Sequence, residues 1–291
     1  MPQQWWSWIT YRKIFTGSFY SIISIIISIQ ILYLHCTEAF SIYRNRYTIT
    51  ILGIVKDPNF LSAYMTPCFI YLCNACFFNR NNSYYKILLL FFIFILFLAI
   101  FYTGSRAALL SIVVASITFI PRILKNRRIS VFIIVVALFI SVIVTNIFLI
   151  ESPLYKRMFS SNSYTDNARL LLWQYAMTAF IDNPLIGSGH LSGAYYVVLN
   201  TNGKWLGTHS CFVDIITGVG LMGSLIVLLM YISMINVKKG NKLFILSMML
   251  SFFAPLFFVG GYYAVTFWMP MVWCKVMSNC CKKEHYCNLL C

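Results

Sequence analysis

ESPLYKRMFSSNSYTDNARLLLWQYAMTAFIDNPLIGSGHLSGAYYVVLNTNGKWLGT, residues 151–208, is the one long polar interval in an otherwise apolar chain. A membrane-crossing helix needs about 20 mostly apolar residues, and this stretch is too polar and too long to supply one. It is therefore expected on one side of a bilayer as a folded segment, with His209 standing where the next apolar run begins. Working outward, the apolar runs before it predict spans over roughly 17–36, 60–78, 87–102, 107–120 and 131–150. Those after it predict spans over roughly 209–235 and 243–259, with a shorter one ending near Lys275. The expected fold is all-α: a polytopic membrane helix bundle of about eight spans. Residues 1–291 form a single integral membrane domain, and 151–208 is a large external loop between spans five and six.

Composition agrees. The chain is 60% hydrophobic and 10% charged, with a mean hydropathy of +0.78, whereas a soluble domain is about 25% charged. Its net charge of +15 would suggest nucleic acid in a soluble protein. Here the basic residues lie in short segments beside apolar runs, the pattern of cytoplasmic loops facing anionic lipid, so no nucleic-acid partner is expected. With the N-terminus inside, fourteen of the 22 Lys and Arg residues fall on the cytoplasmic side, densest at Arg122, Lys125, Arg127 and Arg128. That bias places both termini in the cytoplasm and the 151–208 segment outside. The first apolar run lacks a small-x-small cleavage site and is read as a span rather than a leader.

Ten cysteines do not make a disulfide framework. Cys68, Cys73, Cys76 and Cys211 sit in apolar runs, where cysteine acts as a small hydrophobe. Cys280, Cys281, His285, Cys287 and Cys291 match no common zinc spacing, so reduced thiols are expected there and neither metal nor cofactor. No internal repeat suggests an inverted-repeat carrier. Asp214 is the one acidic residue inside a predicted span, too few for a proton or sodium relay.

Three residues on the external side can carry chemistry. Arg106 follows the tight turn Thr103-Gly104-Ser105 and opens a helix, whose N-terminus already favours anions; its plainer reading is an arginine snorkelling to lipid headgroups. Arg169 lies in a helix capped by Asp166 or Asn167, with Leu170, Trp173, Ala176, Met177 and Phe180 on one apolar face. Asn183-Pro184 ends that helix and Gly187-Ser188-Gly189 turns the chain; its plainer reading is an amphipathic surface helix with an incidental arginine. His209 has the right chemistry for a general base at neutral pH, or it is simply a polar residue at the membrane interface. Ser210 and Asp214 stand beside it as candidate support, and Gly218, Gly220 and Gly223 read as a face for close helix packing. His190, in a Gly-rich turn, and His35, at a helix end, are weaker candidates. No nucleotide-phosphate loop, HExxH or GxSxG pattern is present.

GSRAALLSI (104–112), then RLLLW (169–173), NPLIGSG (183–189) and HSCFVDIITGVGLMG (209–223) in this order resemble the O-antigen ligase and polymerase family of membrane glycosyltransferases. GIVKDPNFLSAY (53–64) is similar to the family's Gly…Pro-Asn segment, so the likeness runs from about Gly53 to Trp273. It implies that the family's two functional arginines correspond to Arg106 and Arg169, and its histidine to His209. Ser210 stands where the family usually has Asn, and the family commonly has more spans, so the N-terminal part is expected to be short. The resemblance implies a polyprenyl-diphosphate-linked oligosaccharide as donor in the lipid bilayer, with a chain-length regulator and a flippase as further partners. Polymerisation of repeat units is the expected activity, transfer to lipid A core the alternative. A non-enzymatic exporter of the same lipid-linked glycans, or an inactive scaffold, are the competing classes.

Overall fold

The protein is described by a computed structural model covering residues 3–37, 47–51, 54–78, 83–119, 163–203, 207–235, 242–257, 260, 268 and 272. The described residues form eight helices and one two-residue ribbon. The N-terminal group is α1 (Gln3–Cys36), β1 (Thr50–Ile51), β2 (Ile54–Val55), α2 (Pro58–Phe78), α3 (Ser83–Tyr102) and α4 (Arg106–Ile117). The second group is α5 (Ser163–Asp182), α6 (Ser192–Asn200), α7 (Cys211–Ile235) and α8 (Lys242–Leu256).

The N-terminal group and α8 bury small polar side chains among the apolar ones of their core and leave other large apolar side chains on the outside. Ser21, Ser24 and Ser28 of α1, Ser62, Thr66 and Asn74 of α2, Ser111 of α4, and Ser247 and Ser251 of α8 are all buried. Many bond back to their own helix, as Thr66 Oγ1 donates to the Ser62 carbonyl at 2.8 Å and Ser111 Oγ to that of Ala107 at 2.7 Å. Small residues let helix backbones approach closely where no hydrophobic effect drives them together. Conversely, Ile22, Ile26 and Ile29 of α1, Ile87, Phe91 and Phe94 of α3, and Leu110 and Val113 of α4 are exposed. A soluble monomer rarely shows contiguous apolar faces of this kind. Lipid is the solvent that suits them, and the chain is an integral membrane protein.

Among the described residues, Pro58–Phe77, Ser83–Tyr102 and Cys211–Ser233 are long and apolar enough to cross a membrane. The predicted first span is part of a longer helix that starts at Gln3. The predicted fourth and seventh spans form helices of 12 and 15 residues, shorter than the roughly 20 a straight crossing needs. The predicted fifth span, most of the eighth, and the cysteine-rich tail lie outside the described residues. Cys68, Cys73, Cys76 and Cys211 are free and buried, as expected of small hydrophobes.

Two corrections concern the second group. First, α5 starts at Ser163, so Asp166 and Asn167 lie within the helix rather than capping it. Its buried residues are Leu172, Ala176 and Ala179, while Leu170 and Leu171 are exposed. The apolar face is thus rotated from the one predicted, because the alanines let α5 lie close to α6 and α7. The expected stop at Asn183-Pro184 is where the helix ends.

Second, α7 is not a continuous rod. Gly220 has φ 63° and ψ −166°, a backbone shape outside the helical region, and it divides α7 into 211–219 and 221–235. The two arms fold toward each other. The rings of Phe212 and Tyr231 lie 5.6 and 4.4 Å from the same ring, Phe253 of α8. They are therefore no more than about 10 Å apart, where an unbroken helix rising about 1.5 Å per residue would set their Cα atoms about 28 Å apart. Gly220, expected with Gly218 and Gly223 to form a helix-packing face, makes this break instead.

Candidate active site

Arg106 is held at the start of α4 by a chain of caps. Ser105 is the N-cap, its hydroxyl accepting from the Ala108 amide at 3.4 Å, which satisfies one of the helix's unpaired first-turn amides. That hydroxyl donates to the Asn59 side-chain oxygen at 3.2 Å. Asn59 in turn opens α2, where its amide donates to Asp57 Oδ1 at 2.7 Å and Pro58 occupies the first helical position that suits proline. The Asp-Pro-Asn and Gly-Ser-Arg motifs, 46 residues apart in sequence, therefore meet at the mouth of α4. The Arg106 side chain is exposed there. Gly104 makes the preceding turn at φ 60°, a conformation glycine reaches without a Cβ clash.

One further aromatic cluster sits at this turn. His35 stacks on Tyr102 at 3.8 Å between ring centroids and meets Tyr47 edge-on at 5.0 Å. Its Nδ1 is buried without a hydrogen bond. The sequence marked His35 only as a helix-end residue; nothing in its neighbourhood along the chain announces the Tyr47 and Tyr102 partners.

His209 is gripped from three sides. Trp173 of α5 donates its indole N–H to the Thr208 carbonyl at 2.8 Å. The Thr208 hydroxyl donates to Asp214 Oδ1 at 2.5 Å and accepts from the Ser210 amide at 3.2 Å. Gly260 leans against the back of the residue: a Cβ there would lie 3.3 Å from both the His209 amide nitrogen and Asp214 Oδ2. Within this clamp His209 has φ 54°, a left-handed conformation that costs a non-glycine residue on the order of 1–3 kcal/mol and persists only where its surroundings impose it. Its side chain is exposed, while Ser210 is buried at the N-terminus of α7, its hydroxyl accepting from the Val213 amide at 3.5 Å. Asp214 and Ser210, singled out from sequence as support, thus build the turn that carries His209. Thr208 and Trp173 do so as well, and sequence reasoning missed them. Trp173 was read as part of an apolar face, and a backbone carbonyl as its partner leaves no mark in a sequence.

The helix of Arg169 is the one that grips the His209 turn through Trp173. Arg169 is four residues before Trp173, hence one turn away on the same helix face, and it is half-buried. Arg106 stands on a different group of helices, joined to this one through α8: α4 packs along α8, and the far end of α8 bears on Phe212 through Phe253 and Phe257, with centroids 5.6 and 4.2 Å away. His190 is exposed in the Gly189–Leu191 turn. On α6, Tyr196 donates its hydroxyl to Asp182 of α5, and this hydrogen bond to a carboxylate, with burial adding, raises the phenol above its usual range.

The fold and these residues define a class: an integral membrane protein whose broken helix presents a strained histidine beside an arginine-bearing helix. A family model described as O-antigen ligase matches residues 91–228, from the middle of α3 to beyond the break in α7, and supports the resemblance to the O-antigen ligase and polymerase family. Arg106, Arg169 and His209 all fall within the match, whereas the Asp57-Pro58-Asn59 segment lies before it. The family's activity is of glycosyltransferase type. None of the curated proteins compared matches the chain.

Proposed function

We propose that this protein polymerises polyprenyl-diphosphate-linked oligosaccharide repeat units into a surface polysaccharide (O-antigen, capsule or exopolysaccharide), on the outer face of the cytoplasmic membrane. In this reading its termini are cytoplasmic, and residues 151–208 lie outside within a single membrane domain of about eight spans. The observation that supports it is the Trp173–Thr208 hydrogen bond, which ties the helix of Arg169 to the turn that carries His209 inside the family-matched stretch.

The chemistry asks for two things. As the bond between the anomeric carbon and the diphosphate oxygen breaks, the electron pair leaves with the diphosphate, and its growing charge must be met. Arg106 and Arg169 do this, since a guanidinium stays charged and binds phosphate oxygens as a fork, and stabilising developing charge is often the largest catalytic term. The acceptor hydroxyl attacks the same carbon, and its proton passes to His209, a contribution of about 10²–10⁴-fold in general-base catalysis. Two guanidinium groups suffice to neutralise the leaving group, so the transfer runs without a metal. The exposed apolar helix faces hold the lipid tail. A flippase delivers the donor and a chain-length regulator sets where elongation stops.

The second reading is ligation, transfer of a finished polymer to lipid A core, and the description of the matching family favours it. Cells lacking the protein and then re-supplied with it decide between the two. A ladder of long glycans on the lipid carrier, absent without the protein, supports polymerisation. An unchanged ladder that is no longer attached to lipid A core favours ligation. Accumulation of single units on the cytoplasmic face would favour an exporter instead.

A further inference from the structure

The break in α7 is filled by another piece of backbone. In an intact helix the Leu221 and Met222 amides would donate to the Thr217 and Gly218 carbonyls four residues earlier. Here they donate to the Pro184 and Leu185 carbonyls, at 2.9 and 3.0 Å. The two deserted carbonyls accept from the same loop: Thr217 from the Ser188 amide at 2.9 Å, Gly218 from the Gly189 amide at 3.0 Å. Thr217 also accepts from the Ser192 hydroxyl at 3.1 Å. Two helical hydrogen bonds are thus exchanged for four to residues 184–189, and those polar groups are satisfied where a membrane would otherwise penalise them.

Such an exchange requires backbone to touch backbone. A Cβ on Gly187 would lie 2.5 Å from the Gly218 carbonyl group and the Gly220 nitrogen. A Cβ on Gly220 would lie 2.5 Å from the Gly187 nitrogen and the Leu185 carbonyl oxygen. Both residues have positive φ, 76° and 63°. The loop itself is tied to α5, with the Ser188 hydroxyl donating to the Ala179 carbonyl at 2.6 Å and accepting from the Asn183 side-chain amide at 3.1 Å. One end of the joint therefore continues into the helix of Arg169, and the other into the arm that begins beside His209.

From this we infer that Gly187 and Gly220 are positioning residues. By letting the 184–189 backbone lock into the break of α7, they fix the angle between the Arg169 helix and the His209 arm, and the transfer reaction depends on that angle. The inference rests on the proposed roles of Arg169 and His209. Each arm keeps its own contacts when the joint is spread, so the loss falls on the chemical step rather than on donor binding. A misplacement of about 1 Å far from the chemistry is enough to cost on the order of 10²-fold.

The test uses full-length protein in nanodiscs, with lipid-linked units extracted from cells lacking it as donor. Leu185 and Leu221, both exposed, are replaced by cysteine, and the bridge between them is measured by mass spectrometry as a reporter of joint closure. Gly220→Ala and Gly187→Ala are expected to lower bridge yield and to reduce kcat about 10²-fold, with donor KM within about threefold. Gly203→Ala is the control: its φ is 79°, but a Cβ there meets nothing within 4 Å, and bridge and kcat should both persist. Where the alanine variants do not accumulate, Leu221→Pro removes one joint hydrogen bond at a first-helical position that accepts proline. It should lower kcat roughly two- to tenfold, the worth of one such bond.

The inference is overturned if kcat survives loss of the bridge, if kcat falls with the bridge intact, or if the loss appears in KM. Unchanged kcat in Leu221→Pro overturns it too. His209→Ala separates the two claims, since it should slow transfer by about 10²–10⁴-fold at wild-type bridge yield. Undiminished activity in that variant would sink the catalytic reading and leave the joint's closure as measured.

Discussion

The two groups of helices are held together by different means. Around α2, α3, α4 and α8 a broad core runs from Ile31 and Met65 through Ile93, Leu96 and Ile100 to Ile245 and Met248, with small hydroxyl residues between the backbones. In the α5–α6–α7 group Leu172, Ala176 and Val197 form a separate small buried cluster, and α7 also reaches the broad core through Cys211, Ile215 and Tyr231. Its order comes from hydrogen bonds of backbone to backbone and from the indole and hydroxyl contacts at Thr208. A side-chain core accommodates a change of a methyl group by repacking, whereas a backbone joint has nothing to repack. The lesson is that the group with the smaller apolar core tolerates less, and it is the group that carries Arg169 and His209.

Substitutions can break or sharpen that contrast. After His209 itself, the largest effect is expected at Arg169, where Arg169→Ala should cost about 10²–10³ in kcat, as loss of a charge-stabilising donor does. Arg169→Lys should recover only part of it, because an ammonium cannot present a fork to phosphate. Full recovery by lysine would reduce Arg169 to a point charge. Next comes Thr208→Val, which leaves Asp214 and the Ser210 amide without the hydroxyl between them. Melting in detergent should drop by the equivalent of about 1–3 kcal/mol, with activity falling alongside. Equal melting would show that the clamp around His209 holds without this hydroxyl.

In the other group the changes should be smaller. Ser105→Ala removes the cap of α4 and the bond to Asn59, and about 1 kcal/mol of stability is expected to go with it. Transfer should weaken modestly, since Arg106 sits next to that cap. Ile93→Val, deep in the side-chain core, should cost about 0.5–1.5 kcal/mol and leave specific activity alone. A larger loss from Ile93→Val than from Thr208→Val, measured by the same melting assay, would invert the contrast.

How much of this was readable in the sequence follows from the same division. Membrane character, the Gly104 turn before Arg106, the Asn183-Pro184 stop and the polar residues Ser210 and Asp214 next to His209 all leave residue-type signatures. The break in α7 does not. Cys211 to Ser233 is apolar enough on average to cross a membrane, so hydropathy sees one span, and Gly218, Gly220 and Gly223 have the spacing of an ordinary packing face. What breaks the helix is a loop some 30 residues earlier that offers carbonyls and amides, and every residue type offers those. The phase of the α5 face was misread for a related reason. Ala176 and Ala179 mark the close approach to α6 and α7, yet a hydrophobic count ranks them below the larger Leu170. The meeting of Asn59 with Ser105, and of His35 with Tyr102, joins distant segments through contacts a single sequence does not encode locally.

The most direct test of the account is glycan transfer by purified full-length protein, given lipid-linked units from cells that lack it and excess chelator. Wild type and His209→Ala would be compared at equal protein. The account predicts that the wild type lengthens the lipid-linked glycan with chelator present, and that His209→Ala is slower by about 10²–10⁴-fold at an unchanged melting temperature. Equal rates in the two proteins would contradict the role of His209, and a wild type silenced by chelator would contradict transfer by arginine and histidine alone.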